Sequence, residues 1–269
     1  MDLPVVSPVI AEMYEAAASY ERGPKRNYLG MSTIGKKCER ALWYSFRGFT
    51  PAEIDGRTKM IFSIGDCVEE EVVKWLEMAG IEVKDRQKIF EDINGLFRGH
   101  WDGMLPKLTS QDHVLEIKSA SSNRFKAFQD NGIEKMSPEY YAQVQCYMGY
   151  SGLQRALFVV MNKNDCSLYS ERVHFSSSFF KDMKAKALRI ITANVVPEKS
   201  EGDCDFCGFK QLCREGTHVQ KVKTCGTCAF CRIKPDATIV CKDRDCQIKN
   251  WGLSCEHWQY LFDIDRVPF

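Results

Sequence analysis

Two neighbouring segments, 95–105 and 113–120, constrain the fold of this 269-residue chain more than any other feature. Both are predicted to be β-strands, and the residues between them are turn formers, so the pair should form a hairpin. Successive strand residues point to opposite faces, which puts Glu116 and Lys118 on one face and the apolar residues beside them on the other. A carboxylate and an ammonium group on one face of a strand are unfavourable unless they act on something.

The same hairpin carries a second acid, Asp102, which it would bring beside Glu116. Two converging carboxylates suit a hard divalent cation such as Mg²⁺. The cation would polarise a phosphate, and Lys118 could orient or deprotonate the attacking water. The alternative is a solvated hairpin whose charges face water, because a Glu-x-Lys triplet alone occurs by chance in many proteins.

A helix is predicted to begin at Pro138 and to carry Gln143 and Tyr147. Their spacing of four residues places both side chains on one helix face. The pair is either ordinary helix surface, with Tyr147 half buried, or support for an active site.

These elements together resemble the PD-(D/E)XK nuclease superfamily, in particular its RecB-like exonuclease branch, which includes CRISPR adaptation nucleases and phage recombination exonucleases. In that branch an acid on one strand, Glu-x-Lys on the next and Gln-x-x-x-Tyr on the following helix make the active site. The resemblance covers most of residues 30–215, and Trp101 stands where the family has a proline before the acid. It implies a restriction-endonuclease-like α/β fold, with a mixed central sheet flanked by helices.

The resemblance also implies roles for individual residues. Asp102, Glu116 and the backbone carbonyl of Ile117 would hold one or two Mg²⁺ or Mn²⁺ ions. Lys118 would position the water and balance the developing negative charge. Gln143 and Tyr147 would support Lys118 or steer the DNA strand.

A long helix is predicted over residues 57–80. Its apolar stripe consists of Ile64, Val68, Val72, Trp75 and Ala79. In the family a His or Glu on this helix, four residues after a glycine, reaches the metal, and Glu69 follows Gly65 at that spacing. Helical geometry alone leaves Glu71 equally near the stripe, and solvated glutamates are the alternative.

Cysteine content points to metal ligation. Nine of the 13 cysteines follow residue 200. The first residues lack the features of a secretory signal, and no apolar run reaches membrane-spanning length, so a cytoplasmic location, in the host cell if the protein is phage-encoded, is expected. A reducing compartment disfavours disulfides.

One cysteine group comprises Cys204, Cys207 and Cys213, three close thiols that lack a fourth. Four thiolates suit a [4Fe-4S] cluster or a zinc ion equally well from spacing alone. RecB-like nucleases with an iron–sulfur cluster have one upstream cysteine and three near the end of the nuclease domain. The resemblance therefore favours a [4Fe-4S] cluster completed by Cys38, which would clip the two ends of the domain together.

A second cysteine group lies in residues 219–269, which are predicted to be a separate Cys-rich unit after a nuclease domain of residues 1–218. The segment is too short and too polar to build its own core, and small units of this kind are usually held by zinc. Spacing does not identify the four ligands. The favoured set is Cys225, Cys228, Cys241 and Cys255, with Cys231, Cys246 and His257 as substitutes.

Outside the motifs, helices are predicted over residues 5–22 and 179–193. Strands are predicted over residues 81–91, 155–163 and 167–175, and a polar, mobile segment over residues 119–132.

The predicted function is a metal-dependent DNA exonuclease that hydrolyses phosphodiester bonds at linear DNA ends, for phage recombination or replication. The net charge of +1 argues against a generally basic DNA-binding surface, so DNA contacts must be local. A single-strand annealing protein would then be expected as a partner, and no periodicity in the sequence decides the oligomeric state. The alternatives are a CRISPR-type adaptation nuclease and a non-catalytic DNA-binding module.

Overall fold

A computed structural model describes residues 7–21, 26–202, 204–216 and 221–263. Its helices are α1 (Pro8–Ser19), α2 (Glu39–Arg47), α3 (Gly56–Met78), α4 (Ser122–Met136), α5 (Pro138–Ser151) and α6 (Ser177–Thr192). Its strands are β1 (Leu29–Gly30), β2 (Ile89–Asp92), β3 (Phe97–His100), β4 (Gly103–Leu105), β5 (His113–Ala120), β6 (Arg155–Asn162), β7 (Leu168–His174), β8 (Cys231–Ile233), β9 (Ile239–Cys241) and β10 (Cys246–Gln247). The predicted helix over residues 5–22 extends beyond the described residues at both ends.

The central sheet has four strands in the order β4-β5-β6-β7. β5 and β6 are parallel, whereas β4 pairs antiparallel with β5, and β7 with β6. The crossover from β5 to β6 is formed by α4 and α5, as a parallel pair requires. The predicted α/β fold with a mixed sheet is confirmed.

Helices cover both faces of this sheet. Leu115 and Ile117 of β5 pack with Val68 and Val72 of α3 in one apolar cluster. On the opposite face, Val114 belongs to the larger core, together with buried residues of α4 and α5. Glu116 points to this second face and is fully buried, so the alternation predicted for β5 is confirmed.

Local signals explain where the two site-bearing helices begin. The side chain of Asp55 accepts a hydrogen bond from the backbone N–H of Thr58 at 2.8 Å, which caps the first turn of α3. Pro138 occupies the first turn of α5, where its missing N–H costs nothing, and Gly152 ends that helix at φ +79°. The predicted start of α5 is confirmed.

Three local predictions were wrong. Residues 95–105 are not one strand, because β3 ends at His100 and pairs in a different sheet from β4. Residues 119–132 are not a mobile segment, since β5 runs through Ala120 and α4 begins at Ser122. Within residues 81–91 only the last three belong to a strand, which is β2, and Lys84 forms an isolated β-bridge with Met104.

The stripe predicted on α3 is only partly buried. Val68 and Val72 are buried, but Ile64 and Trp75 are 50% and 55% exposed. Helix α1, which the sequence predicts to pack on the core or cap it, runs beside α3 and buries none of its own residues. No helix in the described ranges is long and apolar enough to cross a membrane.

The C-terminal segment forms a small antiparallel sheet in the order β10-β9-β8. It packs on α2, where the rings of Phe46 and Trp251 lie 4.6 Å apart and Arg47 donates a hydrogen bond to the carbonyl of Gly226 at 2.6 Å. Buried residues of this segment belong to the same core cluster as α2. The division of the chain at residue 218 stays a prediction.

Gly99 in β3 is packed against the helix that carries the Gln-x-x-x-Tyr pair. A Cβ atom at this position would lie 2.8 Å from both the Met31 Cβ and a ring carbon of Tyr147. We expect Gly99→Ala to lower the free energy of unfolding by about 1–3 kcal/mol, because the core has no room for the methyl group.

Denaturant unfolding measures this loss. Gly65→Ala is the matched control, since its Cβ would meet only the Ser119 hydroxyl at 3.8 Å. In the α3 interior this change is expected to stabilise by roughly 0.5–1 kcal/mol. Equal losses in both variants would contradict the packing argument.

Candidate active site

The two acids of the predicted hairpin lie together in the structure. Asp102 occupies the short link between β3 and β4, and the pairing of Gly103 with Leu115 sets it opposite Glu116. Its Oδ2 accepts a hydrogen bond from the backbone N–H of Ile117 at 2.7 Å. Both acids are buried, which makes their negative charges costly without a cation.

Lys118 supplies one cation. Its Nζ donates to Glu116 Oε1 and to the carbonyl oxygen of Ile117, the latter at 3.2 Å. The ring of Tyr140 lies 5.3 Å from Nζ on the other side. Burial alone would lower the pKa of Lys118, but the charges of Glu116 and Asp102 raise it above its usual value, so the ammonium form is stabilised.

The Gln-x-x-x-Tyr pair contacts the acid instead of the lysine. Gln143 Nε2 donates to Glu116 Oε1 at 2.6 Å and to the Tyr147 hydroxyl oxygen at 3.1 Å. Both side chains are buried, so they are not ordinary helix surface. They fix the orientation of the Glu116 carboxylate.

A third carboxylate comes from α3. Among the three consecutive glutamates, Glu70 pairs with Arg86 and Glu71 with Lys74. Glu69 accepts a hydrogen bond from Gln87 Nε2 at 2.7 Å. Burial, and after it the charge of Asp102, raise the pKa of Glu69 to about 7.

The three acids together suit a divalent cation. Burial and the charge of Asp102 raise the pKa of Glu116 to about 8. Glu116 Oε2 is buried and has no hydrogen-bond partner among the described residues. An orphaned carboxylate oxygen beside two further carboxylates is the donor set that Mg²⁺ and Mn²⁺ prefer, so the residues fit such an ion. No group of three or more His, Cys, Asp or Glu side chains in the described ranges is placed to hold a metal ion, so a bound cation requires these carboxylates to move closer together.

Sequence reasoning missed two residues of this site. Gln87, which orients Glu69, lies in the loop before β2 at φ +56°, and no local pattern marks it. Tyr140 precedes Gln143 by three residues, so helical spacing places it on the same face and could have identified it. The guanidinium carbon of Arg124 lies 5.6 Å from the Tyr140 ring centre.

Replacing Gln143 by leucine is expected to lower the free energy of unfolding by about 1–3 kcal/mol, because Tyr147 and Glu116 lose a buried donor. Denaturant unfolding of the purified variant gives the value. Gln154→Leu is the control, since this exposed amide bonds only the nearby carbonyl of Gly152. An unchanged stability in Gln143→Leu would show that the contact to Glu116 is not formed.

The upstream cysteine and the later thiols lie close together. Arg214 Nη2 donates to Cys204 Sγ at 3.6 Å, and Nη1 of Arg40, two residues after Cys38, donates to Cys213 Sγ at 3.9 Å. The N–H of Cys207 donates to the carbonyl of Cys204 at 3.0 Å. The structure therefore places the start of α2, which Cys38 precedes, beside Cys213, although the two cysteines are far apart in the sequence. The iron–sulfur cluster itself stays a prediction.

The C-terminal cysteines surround a second location. The residues that line one small enclosed cavity there include Cys225, Cys228, Cys231, Cys241, Cys255 and His257. Cys246 is exposed and does not line the cavity. Zinc at this location stays a prediction.

A mixed sheet that presents two buried acids and a lysine from a hairpin, with Gln-x-x-x-Tyr on the next helix, is the arrangement of the PD-(D/E)XK nuclease superfamily. A protein-family model described as the YqaJ-like viral recombinase domain matches residues 59–154. This domain belongs to the same superfamily, so the recognition made from the sequence is confirmed over this stretch. The match contains the six side chains predicted for this site, which are Glu69, Asp102, Glu116, Lys118, Gln143 and Tyr147.

Some solved structures are similar to this chain at low sequence identity and with TM-scores below 0.5. An alkaline exonuclease from Laribacter hongkongensis is 15% identical, with 67% of this chain and 90% of that chain covered and a TM-score of 0.46. Its complex with dAMP gives 14% identity, the same coverage and a TM-score of 0.45. A phage-related exonuclease from Haemophilus somnus 129PT is 16% identical, with 46% of this chain and 66% of that chain covered and a TM-score of 0.37. No curated protein matches the sequence significantly.

Proposed function

We propose that this protein is a metal-dependent deoxyribonuclease that degrades linear DNA from its ends. The observation that carries the proposal is the pair of buried acids, Asp102 and Glu116, beside Lys118 and the half-buried Glu69, with one oxygen of Glu116 left without a partner among the described residues. The YqaJ-like domain supports the same activity, because a viral recombinase domain of this superfamily acts on DNA.

The residues of the proposed site would have different roles in the reaction. A bound Mg²⁺ or Mn²⁺ would polarise the scissile phosphate and lower the pKa of a water molecule. Asp102, Glu116, Glu69 and the carbonyl of Ile117 would hold that ion. Lys118, whose ammonium form is stabilised, would orient the water and balance the charge that develops on the phosphate.

Gln143 and Tyr147 would act as positioning residues. By holding Glu116 Oε1, Gln143 leaves Oε2 as the oxygen available to a cation. Tyr147 in turn accepts from Gln143 and is packed against Gly99, so the amide cannot rotate away freely. A site held in this way needs little reorganisation when substrate arrives.

The cysteine groups complete the proposal. Cys38, Cys204, Cys207 and Cys213 would hold a [4Fe-4S] cluster with a structural role. Cys225, Cys228, Cys241 and Cys255 would hold zinc in the C-terminal unit. DNA is the proposed substrate, phage recombination or replication the proposed setting, and a single-strand annealing protein the proposed partner.

The test is cleavage of end-labelled linear duplex DNA. We expect labelled mononucleotides or short products with Mg²⁺ or Mn²⁺, and none when a chelator is present. Covalently closed circular DNA of the same sequence is the control, and an exonuclease leaves it intact. The position of the label gives the polarity, and binding without cleavage would indicate a non-catalytic DNA-binding module instead.

A further inference from the structure

The guanidinium of Arg47 is buried at the junction between α2 and the C-terminal unit. Nε donates to the carbonyl of Gly226 at 2.6 Å, and the guanidinium carbon lies 5.3 Å from the Trp43 ring centre. Nη1 has no hydrogen-bond partner among the described residues. Arg47 itself is only 2% exposed, so bulk water does not reach the guanidinium.

Arg47 lies against the turn that carries Cys225 and Cys228. Its Nε donates to the carbonyl of Gly226, which lies between these two cysteines, and a Cβ atom at Gly226 would lie 2.4 Å from the Arg47 carbonyl oxygen. Burial lowers the pKa of Arg47, and the thiols of Cys231 and Cys228 oppose that shift. A buried cation without an anion is strongly unfavourable. Arg47 therefore needs negative charge on the cysteines beside it.

Those cysteines line the enclosed cavity described above, which holds five thiols. Neutral thiols would leave Arg47 unpaired, whereas cysteines bound to a soft cation such as Zn²⁺ are thiolates. Four thiolates around one Zn²⁺ leave negative charge in excess, and a neighbouring guanidinium offsets it. In the described ranges no group of three or more His, Cys, Asp or Glu side chains is placed to hold a metal ion, so ion binding requires these thiols to move closer together.

We propose that Arg47 is the counter-ion of a zinc–thiolate centre formed by four of the five cavity cysteines, Cys228 among them. The centre and Arg47 together tie the C-terminal unit to α2. Arg47, which balances the charge of the centre, precedes its contact residue Gly226 by 179 positions in the chain. This role is independent of DNA cleavage.

Zinc content measured on the full-length protein tests the centre. We expect Cys228→Ser to hold about one zinc ion fewer per chain than the wild type, as loss of a structural-site ligand implies. Cys246→Ser is the matched control and should keep the wild-type content, because Cys246 is exposed and outside the cavity. Equal zinc content in the wild type and Cys228→Ser would overturn the proposal.

Two substitutions of Arg47 separate its charge from its hydrogen bond. Arg47→Gln keeps a donor for the Gly226 carbonyl but no charge, whereas Arg47→Lys keeps the charge. In competition with a zinc chelator we expect Arg47→Gln to lose about 10- to 100-fold in zinc affinity, the range for removal of a partner of a metal ligand. Arg47→Lys should stay near the wild-type affinity.

The pattern of the two Arg47 variants decides the role. An unchanged zinc affinity in Arg47→Gln, or the same loss in both variants, would show that Arg47 does not act through its charge. If Arg47→Gln is not recovered folded, chelator addition to Arg47→Lys gives a second readout. Its thermal unfolding midpoint should fall on zinc removal as in the wild type, and an unaffected midpoint would also overturn the proposal.

Discussion

Replacing Lys118 by alanine, or Glu116 by glutamine, is expected to reduce the rate of DNA cleavage by at least about 10²–10³-fold. Lys118→Ala removes the ammonium group that would face the developing charge. In the wild type Lys118 and Gln143 both donate to one carboxylate oxygen of Glu116. Glu116→Gln removes the negative charge and places an amide group before these two donors. Single-turnover cleavage of end-labelled duplex measures both effects.

The control for this experiment is Lys74→Ala, which removes a surface ammonium group that pairs with Glu71 on α3. Its cleavage rate should equal that of the wild type, because surface ion pairs contribute little. Circular dichroism of each variant establishes that the fold is intact. Cleavage that survives both substitutions in the hairpin would remove Lys118 and Glu116 from the proposed site.

Affinity for Mn²⁺ is expected to rise by about 10²–10³-fold between pH 6 and pH 8.5, since a cation must displace the protons of its ligands. Burial and the charge of Asp102 raise the pKa of Glu116 to about 8 and that of Glu69 to about 7. At pH 6 both carboxyls hold a proton, and near pH 8.5 both are ionised. When the pH is below the pKa of a ligand carboxyl, the affinity for the cation falls by a factor of about ten for each pH unit, because that carboxyl must first lose its proton.

Calorimetric titration with Mn²⁺ in buffers of different ionisation enthalpy measures affinity and proton release together. Glu69→Gln removes one of the two titrating carboxyls, so its affinity should depend less steeply on pH between 6 and 7. Glu82→Gln is a suitable control, because this exposed carboxylate pairs with Lys84 on the surface. An affinity that does not change with pH would show that neither raised carboxyl is a metal ligand.

The catalytic hairpin and the following helix could be predicted because their signals are local. Alternation in β5 places Glu116 on a buried face, and Pro138 marks the start of α5 within one turn. Gln143 and Tyr147 then follow from helical spacing. The contact of Gln143 with Glu116, instead of Lys118, depends on the packing of α5 against β5, which no local pattern encodes.

Segments whose burial depends on distant partners were less predictable. α4 is polar overall, and it is a helix because Phe125, Phe128 and Ile133 find a core built from β6 and α5. The exposure of Ile64 and Trp75 shows the converse, an apolar stripe of which only part packs against the core. Arg47 lies in an unremarkable helical position in the sequence, and only the fold brings it to the cysteines.

The contact between α2 and the C-terminal unit has a consequence for synthesis of the protein. Phe46 and Arg47 emerge early from the ribosome, but Gly226 and Trp251, which cover them, are made much later. At about 5–20 residues per second, this aromatic face stays uncovered for roughly ten seconds or more, an interval in which nascent chains are prone to associate. Translation speed and chaperone supply should therefore govern the yield of folded protein more than the stability of the finished chain does.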